Sequence, residues 1–234
     1  KKFSGENRMD DLEYLKEIGT RLYGSERISR YIENIAMLRN HTIPAAYPGV
    51  SEESSYTLGR ESLIFRDLII SLSGCIFLSF EWIKPLARWI GQKRCLEIMA
   101  GSGSLSYALQ QCGVDIIATD DYSYGNVQKK WFDNNQWVDV KKVECVEAIK
   151  QFGQERDIIL CAWPEQTDRA YYSLLKMREI NPKAMMIYIG EFYGATADEN
   201  FMRTVKLVND EQFEEIIKKY KRCYGIYDNL FLIN

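Results

Sequence analysis

Glu97, Gly101, Gly103 and Asp120 are the residues whose types and spacing best suit chemistry. Glu97 stands near the end of the short apolar run Cys95–Ile98, and the nearly side-chain-free turn Ala100-Gly101-Ser102-Gly103 follows it. Asp120 comes 23 residues after Glu97, just past a second apolar run, Val114–Ala118. A turn this bare lets a ligand lie against the main chain, with the positive end of the following helix behind it. An acidic residue closing the next strand is placed to accept hydrogen bonds from ribose hydroxyls. Together these features point to a nucleoside-containing cofactor. Asp121, beside Asp120, either assists or caps the next turn.

The elements that must position these residues follow from hydrophobic periodicity. Cys95–Ile98 reads as a strand, Ser104–Cys112 as a helix closed by Gly113, and Val114–Ala118 as a second strand. A weak third strand is predicted at Val140–Val143 and a helix at Cys145–Phe152. The strand Asp157–Cys161, the helix Thr167–Arg178 and the strand Ala184–Ile189 come next, with Asn181-Pro182 as a break. Asn209 is predicted to begin a helix with Phe213, Ile216, Ile217 and Tyr220 on its apolar face, and Arg222–Asn234 reads as one strand or a hairpin around Tyr227-Asp228-Asn229. Strands alternating with helices imply an α/β domain with a mostly parallel, doubly wound sheet, and the last segment would add an antiparallel strand at its edge.

Residues 1–60 read as a helical extension or lid, and residues 61–234 as the α/β domain. The extension has a helix at Asp11–Tyr23 stopped by Gly24 and a second capped by Ser25, with Ile28, Tyr31, Ile32, Ile35 and Leu38 on one face. Asn40–Arg60, with Pro44, Pro48 and Gly49, reads as a loop or lid. Helices at Glu61–Leu72 and Phe80–Ile90 lead into the glycine turn.

Composition narrows the function. The chain has 234 residues, of which 46% are hydrophobic and 13% aromatic, which is a globular composition. Thirty basic residues against 33 acidic ones give a net charge of −3 with no Lys/Arg block, so nucleic acid is disfavoured as a partner. His41 is the sole histidine and the six cysteines form no CxxC pair, which argues against a metal site and for reduced thiols in a cytoplasmic protein. The apolar run Leu68–Ile83 is broken by Ser71, Ser73, Gly74, Ser79 and Glu81 and is too short for a bilayer, and the N-terminus shows no signal-peptide pattern.

The segment Leu96-Glu97-Ile98-Met99-Ala100-Gly101-Ser102-Gly103 resembles the first motif of the class I S-adenosylmethionine-dependent methyltransferases. The segment Asp157-Ile158-Ile159-Leu160-Cys161-Ala162-Trp163-Pro164 resembles their fourth motif. The resemblance covers about Trp82–Asn234 and includes the order of elements. It implies a Rossmann-like, seven-stranded sheet with a terminal antiparallel strand, S-adenosylmethionine as cofactor and methyl transfer as activity. Carried over, Gly101 and Gly103, with Ala100, would lie under the amino-acid part of the cofactor, Glu97 would hold the loop or reach the cofactor's amino group through water, and Asp120 would meet the ribose, with Asp121 assisting or capping the next turn. Glu144, Cys145 and Val146 would fall beside the adenine, and Cys161, Ala162 and Trp163 would line the face of methyl transfer. Two departures stand out. Met99 replaces the first glycine of the family loop, and Cys161-Ala162-Trp163-Pro164 differs from the Asn/Asp-Pro-Pro-aromatic signature of DNA amino methylation.

Three functional classes remain open on sequence. The first is a methyltransferase acting on a small molecule or, if the cleft is open and flat, a protein. The second is a nicotinamide-dependent oxidoreductase, whose G-x-G-x-x-G fingerprint fails at Ser106. The third is a methyltransferase-like fold that binds without catalysis. Trp163, Glu165 and Glu191 are the catalytic candidates, each at or just after a strand end. Against those roles, Trp163 could fill the core and Glu165 could be a solvated loop carboxylate, while the glycine-containing run Gly190–Asp198, which holds Glu191, either forms part of the acceptor pocket or caps the helix near Asp198. His41 is either a base supplied by the lid or a loop histidine, and Tyr31, Tyr47 and Tyr56 either close over substrate or pack the extension. No elaborate catalytic set is required, because a sulfonium already activates the methyl group and in-line placement supplies most of the rate.

Overall fold

The computed structural model describes residues 25–47, 59–123, 135–222 and 225–234. The helix expected at Asp11–Tyr23, and Tyr56, lie outside them. Helix α1 spans Ser25–Arg39, α2 Gly59–Ser73 and α3 Phe80–Ile90. Strand β1 (Cys95–Ile98), α4 (Ser104–Gln110), β2 (Ile116–Asp120) and β3 (Val140–Lys142) follow. Then come α5 (Cys145–Phe152), β4 (Ile158–Ala162), α6 (Arg169–Ile180), β5 (Met185–Gly190), α7 (Glu199–Thr204), α8 (Glu211–Ile217) and β6 (Asn229–Ile233).

The strands form one sheet in the order β3-β2-β1-β4-β5-β6. The first five are parallel and β6 runs antiparallel to β5, with Gly190 opposite Asn229. Each strand residue points to the opposite face from the next. In β4, Ile158 and Leu160 join one core with α1, α2, α3, α4 and α8, whereas Ile159 and Cys161 join another with α5, α6 and α7. This is the doubly wound arrangement, and the direction of winding reverses between β1 and β4. Ligands in such sheets bind outside the carboxyl ends of the strands at that reversal.

Several expectations are corrected in detail. Six strands, not seven, are present among the described residues. Where a further strand would stand, Leu207 makes a single bridge to Ile233, flanked by bonds from the Val208 N–H to Leu232 O (2.8 Å) and from the Asn234 N–H to Lys206 O (2.9 Å). Asp210 then accepts from the Phe213 N–H at 2.9 Å and starts α8, so the paired stretch has no room to grow, and Asp210, not Asn209, is the cap. Of the two readings of the chain end, the described residues form the single strand Asn229–Ile233. β2 begins two residues later than predicted because Val114 still belongs to the turn, with its N–H bonded to Leu109 O (3.2 Å). Asp120 is therefore the last residue of the strand.

Helices α1 and α2 share a core with α3 and the sheet, including Ile35, Leu38, Phe65 and Ile69. Tyr47 stacks on Phe77 at 4.6 Å, and Tyr31 lies 5.0 Å from Phe65, so both tyrosines pack the extension. Among the described residues no helix is long and apolar enough to cross a membrane.

Candidate functional site

The glycine turn is built from main chain held in left-handed conformations. Met99, Gly101 and Gly103 have φ of 53°, 57° and 74°. Met99 occupies the place where the sequence resemblance expects a glycine, and its backbone adopts the conformation that a glycine would adopt. For a non-glycine residue this costs about 1–2 kcal/mol, strain of the kind that collects at functional sites. At Gly103 a Cβ would come within 2.5 Å of Val138 and 2.8 Å of Val140, so only glycine fits. The turn is pinned by bonds from the Ala100 N–H to Thr119 O (3.0 Å) and from the Gly103 N–H to Ala100 O (2.9 Å).

Two buried carboxylates flank it. Oδ2 of Asp120 accepts from the Gly101 N–H and Oδ1 from the Tyr122 N–H, both at 2.8 Å. Oε2 of Glu97 accepts from the Ser106 N–H at 3.1 Å and from the Ser106 hydroxyl. Burial pushes the Glu97 carboxyl up to about 7, against the pull of the two Ser106 bonds, and the Asp120 charge raises it further.

A cavity of about 230 Å³ opens over this turn. Its floor is Glu97 and Met99–Ser102, its roof is Ser73–Ile76 from the α2–α3 connection, and its wall is Ala162–Glu165 after β4. Among the described residues that line it none is Lys, Arg or His, and Glu97 and Glu165 are its acidic groups. The roof is tied directly to the turn. The Ser104 hydroxyl donates to Ser73 O at 2.5 Å, the Trp137 indole to Leu72 O at 2.9 Å, and the Trp137 N–H to Ser102 O at 2.8 Å. His41 stacks on Trp137 at 4.4 Å and meets Asn135 at 3.0 Å, outside the cavity lining.

The wall is held as firmly as the floor. Trp163 has φ 50°, and its N–H bonds to Ile189 O at 2.7 Å. Its indole N–H donates to Oδ2 of Asp228 at 2.9 Å, and the Tyr220 hydroxyl donates to the same oxygen at 2.5 Å. Asp228 is 1% exposed, its Oδ1 has no hydrogen-bond partner among the described residues, and burial raises its carboxyl above the usual range. Glu191 works behind this wall: its Oε1 accepts from the Tyr227 N–H at 2.7 Å and its Oε2 from the Ala195 N–H at 3.0 Å.

Of the residues singled out on sequence, Glu97, Ala100, Gly101, Trp163 and Glu165 meet at the cavity. Gly103 and Asp120 shape its floor from outside the lining. The others stand apart. Asp121 pairs with Arg169 at 3.1 Å and holds the Ser123 N–H at 3.0 Å. Cys145 and Val146 start α5, where Glu144 caps the helix by accepting from the Val146 N–H at 2.9 Å and from the Cys145 thiol at 2.8 Å. Cys161 turns into the core opposite the one that Leu160 joins, and burial holds its thiol well above the usual range. Glu191 is a latch on main-chain groups and does not line the cavity. Asp198 caps α7 through the Phe201 N–H at 2.9 Å, while Ala195 of the same glycine-containing run does reach the cavity. Sequence reasoning missed the roof residues and Asp228. Asp228 carried a signal in the Tyr227-Asp228-Asn229 run, which reads first as a turn.

The sequence matches no protein-family model and no curated protein sequence. The solved structures to which the chain is similar are nearly all S-adenosylmethionine-dependent methyltransferases. The CcbJ methyltransferase from Streptomyces caelestis is 13% identical, with 46% of this chain and 48% of that one covered and a TM-score of 0.33. TehB from Haemophilus influenzae is 11% identical over 72% of this chain and 66% of that one, at a TM-score of 0.42. The magnesium protoporphyrin IX methyltransferase from Synechocystis PCC 6803 with bound SAM is 11% identical over 96% of each chain, at a TM-score of 0.39. The chain thus spans about half the length of the first and just under two thirds of the second.

Proposed function

We propose that the chain binds S-adenosylmethionine over the carboxyl ends of β1 and β2 and transfers its methyl group to a small-molecule acceptor in the same cavity. The observation that carries this reading is the floor of the cavity: a turn in left-handed backbone, nearly free of side chains, between buried Glu97 and Asp120. The groups present fit that cofactor. The turn offers main chain for close approach. Asp120 is a buried carboxylate that closes β2 beneath the turn and holds the Gly101 N–H, the position from which an acidic residue meets a ribose. A lining without Lys, Arg or His favours a cationic ligand.

When bound, S-adenosylmethionine would supply a methyl group already activated on a positive sulfur. The protein's own work is then placement. The Gly101 turn sets the depth of the cofactor, and Ala162–Glu165 with Ser73–Ile76 hold the acceptor in line. Glu165, exposed at the mouth, takes a proton where the acceptor must lose one. The α2–α3 connection supplies the roof, and its function in this reading is to enclose the acceptor.

Titration calorimetry with S-adenosylhomocysteine, with NADH as the parallel ligand, tests the proposal. Micromolar binding of S-adenosylhomocysteine alone supports it. Binding of NADH alone replaces it with an oxidoreductase, and no binding of either leaves a non-catalytic relative.

A further inference from the structure

Trp163 is the cavity residue whose role its hydrogen bond decides. Its single polar atom, the indole N–H, is committed to Asp228. The indole therefore offers the cavity hydrocarbon only, and it cannot act as a proton donor to an acceptor. Ile76, Ala162, Pro164 and Ala195 continue the same apolar surface. Among the described residues that line the cavity there is no cation to receive a carboxylate or a phosphate.

The indole is also expensive to hold. Its backbone sits at φ 50°, which a bulky residue adopts only where the surroundings impose it. The imposing group is a chain of contacts from the far end of the fold. Glu191 grips the Tyr227 N–H, the next residue is Asp228, and Asp228 takes both the Trp163 indole and the Tyr220 hydroxyl on one oxygen. A buried carboxylate is a costly way to fix a tryptophan that merely fills space, because apolar neighbours would do so without desolvating a charge. It is a sound way to fix an orientation, since a charge-assisted hydrogen bond is short and directional.

We propose that Asp228 is a positioning residue for the acceptor. Through Trp163 it sets a rigid indole wall that selects flat, uncharged aromatic acceptors and rejects anionic ones. This rests on the methyl-transfer reading for the word acceptor, although the subsite it describes is testable without the cofactor.

The test uses the full chain and two probes of matched shape, 2-naphthol and 2-naphthoate, each titrated with and without S-adenosylhomocysteine. The wild-type chain is expected to bind 2-naphthol at least about tenfold more tightly than 2-naphthoate, because the carboxylate would be desolvated without a partner. Asp228→Ala should weaken 2-naphthol by about tenfold while S-adenosylhomocysteine affinity stays within about twofold. Asp228→Asn, whose amide oxygen can accept from both donors, should restore most of the binding. Tyr220→Phe removes one hydroxyl and is the second variant should Asp228→Ala fail to fold; it should loosen the wall by about threefold in 2-naphthol affinity. The Trp163 indole N–H resonance should move in each variant that weakens the probe. Equal or tighter binding of 2-naphthoate overturns the proposal. So does an Asp228→Ala protein that folds and binds 2-naphthol normally, or one that loses both ligands alike. Failure to bind S-adenosylhomocysteine with normal probe selectivity counts against the cofactor and leaves this inference standing.

Discussion

The main-chain N–H of Gly101 donates to Oδ2 of Asp120 across 2.8 Å, so the residue expected to meet the ribose also holds the turn proposed to cradle the cofactor. Asp120→Ala should therefore do two things. It should weaken S-adenosylhomocysteine binding by about 1–3 kcal/mol through lost charge-assisted bonds. It should also lower stability, because the Gly101 and Tyr122 N–H groups lose their acceptor. Calorimetry and urea unfolding separate the two effects. Unchanged affinity in a folded variant would remove Asp120 from the ribose site.

Glu97 predicts a pH dependence whose sign is fixed by its environment. Burial raises its carboxyl from 4.5 to about 7. The folded state therefore holds a proton that the unfolded chain releases above pH 4.5. The stability this provides is complete below that value and is lost as pH rises through about 7. Its size is of the order of 3 kcal/mol. Asp228, also raised by burial, acts in the same direction. Urea unfolding of the wild type should show falling stability between pH 5 and 7, and Glu97→Gln should flatten much of that slope. An identical slope in the variant would mean that Glu97 is ionised throughout.

Much of this site could be read from sequence because it is local. β1 and α5 fall at Cys95–Ile98 and Cys145–Phe152 as the hydrophobic pattern predicts, and the turn after β1 is where the glycines put it. What escaped is of two kinds. One is long-range contact: Trp163 and Asp228 are 65 residues apart, and no local pattern announces their bond. The other is side-chain direction. Cys161 and Trp163 are two residues apart beside a strand end, yet the turn at Trp163, with φ 50°, breaks the alternation that would have put them on one face. Glu191 shows the same limit, since a carboxylate at a strand end looks alike in sequence whether it meets a ligand or, as here, two main-chain N–H groups.

His41 belongs to the support of the roof. It stacks on Trp137 at 4.4 Å, and Trp137 bonds to Leu72 and Ser102. His41→Ala should cost about 0.5–1.5 kcal/mol of stability, the worth of an aromatic pair. Methyl transfer by the folded variant should persist within a few-fold. A loss of turnover by about a hundredfold, of the order expected for a general base, with stability unchanged would restore it to catalysis.

Gly103 opposes a side chain in two ways. Its φ of 74° and the 2.5 Å approach to Val138 both oppose a side chain. Gly103→Ala should destabilise by about 1–3 kcal/mol from overpacking, with the left-handed backbone cost added. A melting temperature equal to that of the wild type would show that the Val138 and Val140 side chains yield without cost.

Glu165 and Glu191 looked equivalent on sequence and should behave oppositely. Glu165 is exposed and lines the cavity. Glu165→Gln should leave stability within about 0.5 kcal/mol, and for an acceptor that must lose a proton it should lower kcat by about a hundredfold. Glu191→Ala leaves the Tyr227 and Ala195 N–H groups without their acceptor. It should cost about 1–3 kcal/mol in stability and, by freeing the segment that carries Asp228, raise the acceptor KM more than it lowers kcat. Steady-state kinetics alongside thermal unfolding reads both variants. The reverse pattern, with kcat lost in Glu191→Ala at unchanged KM and no effect of Glu165→Gln, would mean that the latch opens and Glu191 reaches the acceptor.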